Sequence, residues 1–240
     1  MYQSFAAGYE KFSADNDYAA FADYYEEIFS KYNIKPSLVL DLGCGSGSLT
    51  DIMAKKGYDM IGVDISPEML DMAREKNPEI LYLNQDMREF ELYGTVDAIY
   101  SSFDCINYIT NKNDVKKIFK LVNNYLNYGG LFIFDINTVH KLKNVLGDNT
   151  FVFDKDDVYL VWQNEYYNKI ATFYLDMFYK TDGKYERFYE EHYERAYEAD
   201  EIKEMLKFAG LEILGVFDEF GFDKPKKNSE RIFFVARRTR

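Results

Sequence analysis

The stretch of this sequence best suited to hold a ligand is Asp41-Leu42-Gly43-Cys44-Gly45-Ser46-Gly47, a carboxylate followed by glycines at alternate positions. Glycine serves where φ turns positive, or where a ligand must approach the backbone with no Cβ in the way. A dinucleotide turn spaces its glycines G-x-G-x-x-G and rests a diphosphate on the next helix N-terminus. Here the spacing is G-x-G-x-G, position 48 is Ser, and Asp41 stands beside the turn. A carboxylate there repels a diphosphate and attracts an ammonium or sulfonium. Two further acids extend the set. Asp64 can accept from both hydroxyls of a ribose, and Asp86 can take the exocyclic amine of adenine while Met87 lies against the ring. Together they suit an adenosine that carries a positive charge. The spacing argues against the rival reading, a nucleotide-dependent oxidoreductase or epimerase.

Such acids need strands to aim them. Residues 38–42, 60–64, 80–83, 96–100 and 131–135 are apolar runs of the kind buried on both faces of a parallel sheet. Helices are expected between them. One spans 48–56 and ends at Gly57; one begins at Ser66-Pro67, with Ser66 as N-cap; one spans 114–126. Asp17 is the expected N-cap of an amphipathic helix within residues 1–33. This alternation predicts a doubly wound α/β sheet. From about 149 the pattern changes to antiparallel strands at 151–153, 159–167, 171–180 and 184–193, with an Asp182-Gly183 hairpin turn. A helix at 200–209 and strands at 211–217 and 232–236 then resume the first pattern.

In this order, Asp41 to Gly47, Asp64, Asp86-Met87 and Gly129-Gly130-Leu131 resemble the class I S-adenosylmethionine-dependent methyltransferases. Three more segments are similar to motifs of small bacterial members with an antiparallel insertion. Phe5-Ala6-Ala7-Gly8-Tyr9-Glu10 matches F-A-x-x-Y-D, Asp104-Cys105-Ile106-Asn107-Tyr108 matches D-S-L-N-Y, and the stretch from His192 through Arg195 to Tyr197 matches H-x-x-R-x-Y. Glu10 and Cys105 each depart by one conservative step. The resemblance implies a Rossmann-like seven-stranded sheet, last strand antiparallel, with a small inserted antiparallel β subdomain. It divides the chain into an N-terminal helical lid (1–34), a cofactor domain (35–148 and 196–240) and an acceptor-side insertion (149–195). It implies S-adenosylmethionine as cofactor, held by Asp41, Gly43, Cys44, Gly45, Asp64, Ile65, Met69, Asp86, Met87 and Ser102. The implied reaction is in-line transfer of its methyl group to N or O of a small-molecule acceptor. An amine is the first reading, with a hydroxyl or carboxylate close behind.

Asp104 and His192 are the candidate bases, needed only if the acceptor arrives protonated. His192 serves equally well as a structural histidine. Tyr9 either lies over the donor methyl or is a core tyrosine. Asp104, Asp135 and Asn137 offer oxygens to magnesium, but their spacing matches known metal sites poorly, and no metal is expected. A non-catalytic S-adenosylmethionine-binding protein is the alternative that uses the same pocket.

Bulk properties narrow the partners. A formal net charge of -12 disfavours a nucleic-acid substrate, because phosphate binding calls for a basic face. Two cysteines without CxxC spacing give neither a disulfide framework nor a zinc site. The absence of a signal-like start and of a long apolar run makes a cytoplasmic protein the expectation, with no membrane partner. Oligomeric state is not legible. Aromatic residues reach 18%, and they crowd the insertion at Tyr159, Trp162, Tyr166, Tyr174, Phe178 and Tyr189. Packing alone does not call for so many hydroxyls, so this sheet is expected to wall the acceptor pocket or to form a dimer surface.

Overall fold

The computed structural model describes residues 17–155, 157–181 and 183–239. Tyr9 and the Phe5–Glu10 motif lie outside them, as does Asp182 of the hairpin turn. Asp17 caps helix α1 (Tyr18–Lys31), accepting from the Ala20 amide at 2.9 Å. The chain then alternates through β1 (Leu38–Leu42), α2 (Ser48–Lys55), β2 (Asp59–Asp64), α3 (Pro67–Lys76), β3 (Leu81–Asn84), β4 (Val96–Ser101), α4 (Lys112–Tyr125) and β5 (Leu126–Asn137). Ser66 caps α3 through the Met69 amide, with Pro67 at the first helical position. After the insertion come α5 (Ala199–Phe208), β10 (Leu211–Asp218) and β11 (Arg231–Arg238).

These strands form one seven-stranded sheet in the order β10-β11-β5-β4-β1-β2-β3. The pairings among β1 to β5 are parallel, and β11 runs antiparallel between β5 and β10. Period-2 alternation sends successive residues to opposite faces, so both faces carry a core. Val39, Ala98, Tyr100, Ile133 and Phe233 pack under α1 and α2, while Leu40, Ile99, Phe132, Phe134 and Phe234 pack under α4 and α5. Among the described residues, no helix is long and apolar enough to cross a membrane.

Two features depart from the sequence reading. Strand β5 begins at Leu126 rather than 131, because Leu126 pairs with Val96 before a register shift and the Ala98–Leu131 pairing. The intervening Asn127, Tyr128 and Gly129 are exposed, so an apolar-run criterion misses them. A π-helix at Lys141–Leu146 follows β5, with Leu142 and Leu146 buried.

The insertion is a four-stranded antiparallel sheet, β6 (Thr150–Lys155), β7 (Val158–Tyr167), β8 (Ile170–Thr181) and β9 (Lys184–Arg195), in sequence order. Its inner face carries Trp162, Tyr166, Ala171 and Phe173, and packs on Leu142 and Leu146 of the π-helix. The register puts Tyr159, Tyr174, Phe178 and Tyr189 on the opposite face. The hydroxyls of Tyr174 and Tyr189 donate to Glu165 and Glu191, at 3.1 and 3.4 Å. That face holds an open cavity of about 350 Å³, lined by Gln163, Glu165, Tyr174, Asp176 and Tyr189 among others.

Candidate active site

The chain returns from β3 to β4 on the other side of β1, which leaves a crevice beyond the carboxyl ends of β1 and β4. The glycine turn lies at its floor. The Gly43 and Cys44 amides both donate to the Val63 carbonyl, at 2.8 and 3.0 Å, tying the turn to β2. Gly43 has φ +89°, and a Cβ there would lie 2.8 Å from Cys105 Sγ and 3.3 Å from Met87 Cε. The loops after β1, β3 and β4 therefore meet at one glycine. Gly43→Ala combines a strained φ with a collision, and S-adenosylhomocysteine affinity is expected to fall about tenfold or more. Calorimetry on Gly43→Ala and on Gly43→Ala/Cys105→Ala separates the two causes: partial recovery in the double variant assigns the loss to the thiol, and full affinity in the single variant removes the turn from the site.

Asp64 closes the crevice from β2. Its Oδ2 accepts from the Gly45 amide at 2.8 Å and its Oδ1 from the Ser66 amide at 2.9 Å. Burial raises its pKa, and these two amides oppose the rise. Ile65 follows it, a large apolar side chain left 63% exposed. Asp41 is buried at the end of β1 and accepts from Thr50 Oγ1 at 2.6 Å. Burial pushes its pKa up to about 7, Thr50 and Tyr100 pull it down, and the charge of Asp64 adds to the rise. Asp86 is gripped by the amide and guanidinium of Arg88, which hold its carboxyl below the usual range. Met69 is half-buried on α3. Ser102 is buried, with its hydroxyl 2.6 Å from that of Tyr25 on α1. Burial raises the Cys44 thiol above the ordinary range, so its side chain is no nucleophile. An open glycine turn, exposed Ile65, Met87 and flanking carboxylates fit a nucleoside with a cationic tail.

A second cluster stands on the other side of the crevice. Phe103 and Asp104 both have left-handed backbone conformations, φ +56° and +54°, in the loop after β4. Two consecutive non-glycine residues in that region are strained, and the surroundings hold them there. The Asp104 amide donates to Asp135 Oδ2 at 2.9 Å, and Arg231 at the start of β11 reaches Asp104 Oδ1 at 3.0 Å. Arg231 also bonds the fully buried Asp135. The guanidinium lies where a cation between these carboxylates would lie. Asn137 belongs to a different set: it donates to Glu194 Oε2 at 2.9 Å and exchanges backbone–side-chain bonds with Asn107. Asp135 Oδ1 is buried with no hydrogen-bond partner among the described residues. Desolvation first, then the charges of Asp64, Asp104, Asp135 and Asp41, raise the half-buried Cys105 thiol well above its ordinary range. Cys105 follows Asp104 in the chain and its Sγ lies 3.7 Å from the Gly43 carbonyl, so the loop after β4 brings this cluster beside the glycine turn.

His192 lies on β9 with Nε2 2.8 Å from Glu190 Oε2 and its ring edge-on to Tyr108, centroids 5.9 Å apart. It shares the inner face with Glu194, one strand repeat away. Arg231 and Glu194 are the residues that sequence reasoning passed over. Arg231 had a legible signal, a single cation opening the apolar strand Ile232–Ala236. Glu194 had none, because its neighbours Glu190 and Glu191 look the same in sequence.

Fold and crevice together define a Rossmann-like nucleoside-binding transferase. A model of the methyltransferase domain matches residues 39–130. A solved S-adenosylmethionine-dependent methyltransferase from Clostridium acetobutylicum is 36% identical, with a TM-score of 0.92, and the match covers 100% of this chain and 99% of that one. YqeM of Bacillus subtilis, a chain classed among the methyltransferases, is 33% identical over 246 residues, covering 100% of this chain and 98% of the relative. The dTDP-3-amino-3,4,6-trideoxy-alpha-D-glucopyranose N,N-dimethyltransferase of Streptomyces venezuelae is 27% identical over 117 residues, 49% of either chain. The chain belongs to the S-adenosylmethionine-dependent methyltransferases, and S-adenosylmethionine is its methyl donor.

Proposed function

We propose that this enzyme methylates a nitrogen of a small-molecule amine. The observation that carries the reading is the charge of the crevice. The charges of Asp41, Asp64, Asp104 and Asp135 all bear on Cys105, and Arg231 is bound to two of them. Such a site favours a cationic donor and an acceptor that becomes cationic as it reacts. A phosphate- or carboxylate-bearing reactive end meets repulsion there. The Streptomyces venezuelae relative acts on an amino sugar, which agrees with an amine acceptor.

The bound donor supplies an electrophilic methyl on a sulfonium with a neutral leaving group. In the proposed arrangement, Asp64 accepts from the ribose with the lone pairs that Gly45 and Ser66 leave free, and Ile65, Met69 and Met87 flank the adenine. Asp86 meets the exocyclic amine, the Gly43–Gly45 backbone and Asp41 receive the amino-acid tail, and Ser102 sets the wall through Tyr25. The acceptor nitrogen forms its bond to the methyl carbon as the carbon–sulfur bond breaks, and the electron pair stays on sulfur. The proton lost from the new ammonium passes to Asp104. Holding donor and acceptor in line supplies most of the acceleration.

Labelled methyl transfer to panels of amines, alcohols and carboxylic acids tests the acceptor class. Products confined to the amines support the reading, and products only among alcohols or acids overturn it. Asp64→Ala is expected to weaken S-adenosylhomocysteine binding about tenfold or more, as for a lost pair of charge-assisted hydrogen bonds. Unchanged affinity by calorimetry takes Asp64 out of the site.

A further inference from the structure

Tyr82 of β3 stands opposite Gly62 of β2, and Gly62 stands opposite Asp41 of β1 in the next pair. Side chains of one such row project to the same face of a sheet. The middle position carries no side chain, and the Tyr82 ring lies across it. A Cβ on Gly62 would lie 2.5 Å from Tyr82 Cδ1, 2.8 Å from its Cε1 and 2.9 Å from Cys44 Sγ. The ring runs on to the far end of the cofactor turn. A Cβ on Gly47 would lie 2.7 Å from the Tyr82 hydroxyl and 2.9 Å from the Ala73 Cβ of α3. Cys44 near the start of the turn and Gly47 at its end are thus both seated on Gly62 and the ring that covers it. Tyr82 is 6% exposed and packs with Cys44, Leu70 and Ala73 in a small core of its own. Gly45, between the two seated positions, is open: nothing lies within 4 Å of where its Cβ would be. The oxygen of Tyr82 is the atom that reaches Gly47, and it is buried with no hydrogen-bond partner among the described residues. A buried hydroxyl left unpaired costs stability, so packing alone is served better by phenylalanine. What tyrosine adds here is reach.

We propose that Tyr82 is a positioning residue for the methyl donor: its ring and hydroxyl prop the Cys44–Gly47 turn and hold the Gly45 backbone in the open form that receives the donor. Tyr82 acts through the turn and not by contact with the donor. The same seat accounts for Gly62, since any side chain there would displace the ring or Cys44. The proposal rests on the donor lying at the glycine turn and is independent of the acceptor class.

The test needs no known acceptor. Tyr82→Phe removes only the oxygen. Its affinity for S-adenosylhomocysteine, read by calorimetry, is expected to fall roughly threefold or more, while Tm holds or rises because an unpaired buried polar atom is gone. A tyrosine with a merely structural role would move both quantities the same way. Tyr82→Leu removes the ring as well, and binding is expected to weaken about tenfold or more. Ile118→Ala, buried in the core under α4 rather than in the Tyr82 cluster, is the control for lost stability and should bind as the native enzyme does. Native affinity in Tyr82→Phe, or a loss in Tyr82→Leu no greater than that in Ile118→Ala, overturns the proposal. Should Tyr82→Leu not fold, Tyr82→Phe decides alone. Gly43→Ala separates the proposal from the placement it rests on. If Gly43→Ala loses affinity while the Tyr82 variants keep it, the donor lies at the turn and only the role of Tyr82 fails. If Gly43→Ala also binds at full strength, both fail.

Discussion

Arg231→Met is expected to be the most destabilising single change in the crevice. The guanidinium bonds Asp104 and the fully buried Asp135, and its own side chain is 13% exposed. Removing one partner of a buried pair leaves the other charge uncompensated, which costs about 3–5 kcal/mol. For a chain of this size that is a fall of roughly 10 °C in Tm. The pH dependence identifies the cause. Burial already holds the Asp135 carboxyl above its ordinary range, and Arg231 opposes that rise. Without Arg231 the folded pKa of Asp135 moves further above its unfolded value. Stability from such a group is present at low pH and lost as pH rises through the folded pKa. The variant should therefore melt far below the native enzyme at pH 8, and the gap should narrow towards pH 5. A gap of the same size at both values would assign the loss to packing against Phe21, over which the guanidinium also lies, and not to charge.

This residue also shows where sequence reading reached its limit. The glycine turn, the acid ending β2 and the Asp-Met pair after β3 are local features. Each stands at a strand end close by in sequence, so spacing alone can propose it. The helix caps at Asp17 and Ser66 are local too. Arg231 meets Asp104 and Asp135 only because β11 is inserted antiparallel beside β5, with Phe233 opposite Asp135 in the register. Glu194 reaches Asn137 only because the insertion folds back so that the Arg195 amide bonds the Asn107 carbonyl at 2.7 Å. Neither contact has a sequence signature, since each depends on how two distant segments are laid side by side. The aromatic surplus is hard to read in sequence for a related reason. Composition counts the tyrosines, but strand register decides their side: it turns Tyr159, Tyr174 and Tyr189 away from the π-helix, where Tyr174 and Tyr189 donate to Glu165 and Glu191.

Donor affinity is expected to depend on pH through Asp41, and Asp41→Asn should abolish that dependence. In the ligand-free enzyme burial places the Asp41 pKa near 7, so the group is about half protonated at neutral pH. If Asp41 faces the ammonium of the donor's zwitterionic amino-acid tail, binding favours its ionised form. Below pH 7 binding must then expel a proton, and affinity for S-adenosylmethionine should fall towards tenfold per pH unit. S-adenosylhomocysteine carries the same tail and should follow the same curve. Asp41→Asn keeps a side-chain oxygen for Thr50 but carries no charge, so its affinity should be flat with pH and about tenfold or more weaker at pH 8. Stability should move the other way. A carboxyl whose folded pKa lies above its unfolded value loses stabilisation as pH rises through the folded pKa, so the native enzyme bears the cost of a buried charge at pH 8. Asp41→Asn should raise Tm there, by about 2–4 °C for each kcal/mol relieved, and make little difference at pH 5. Calorimetric titrations and melts across pH 5–8 read both effects from the same protein. An asparagine variant that binds as tightly as the native enzyme at pH 8 would reduce Asp41 to a hydrogen-bond partner of Thr50. A loss of affinity together with a gain in stability would mark a charge kept in the core for the sake of the ligand.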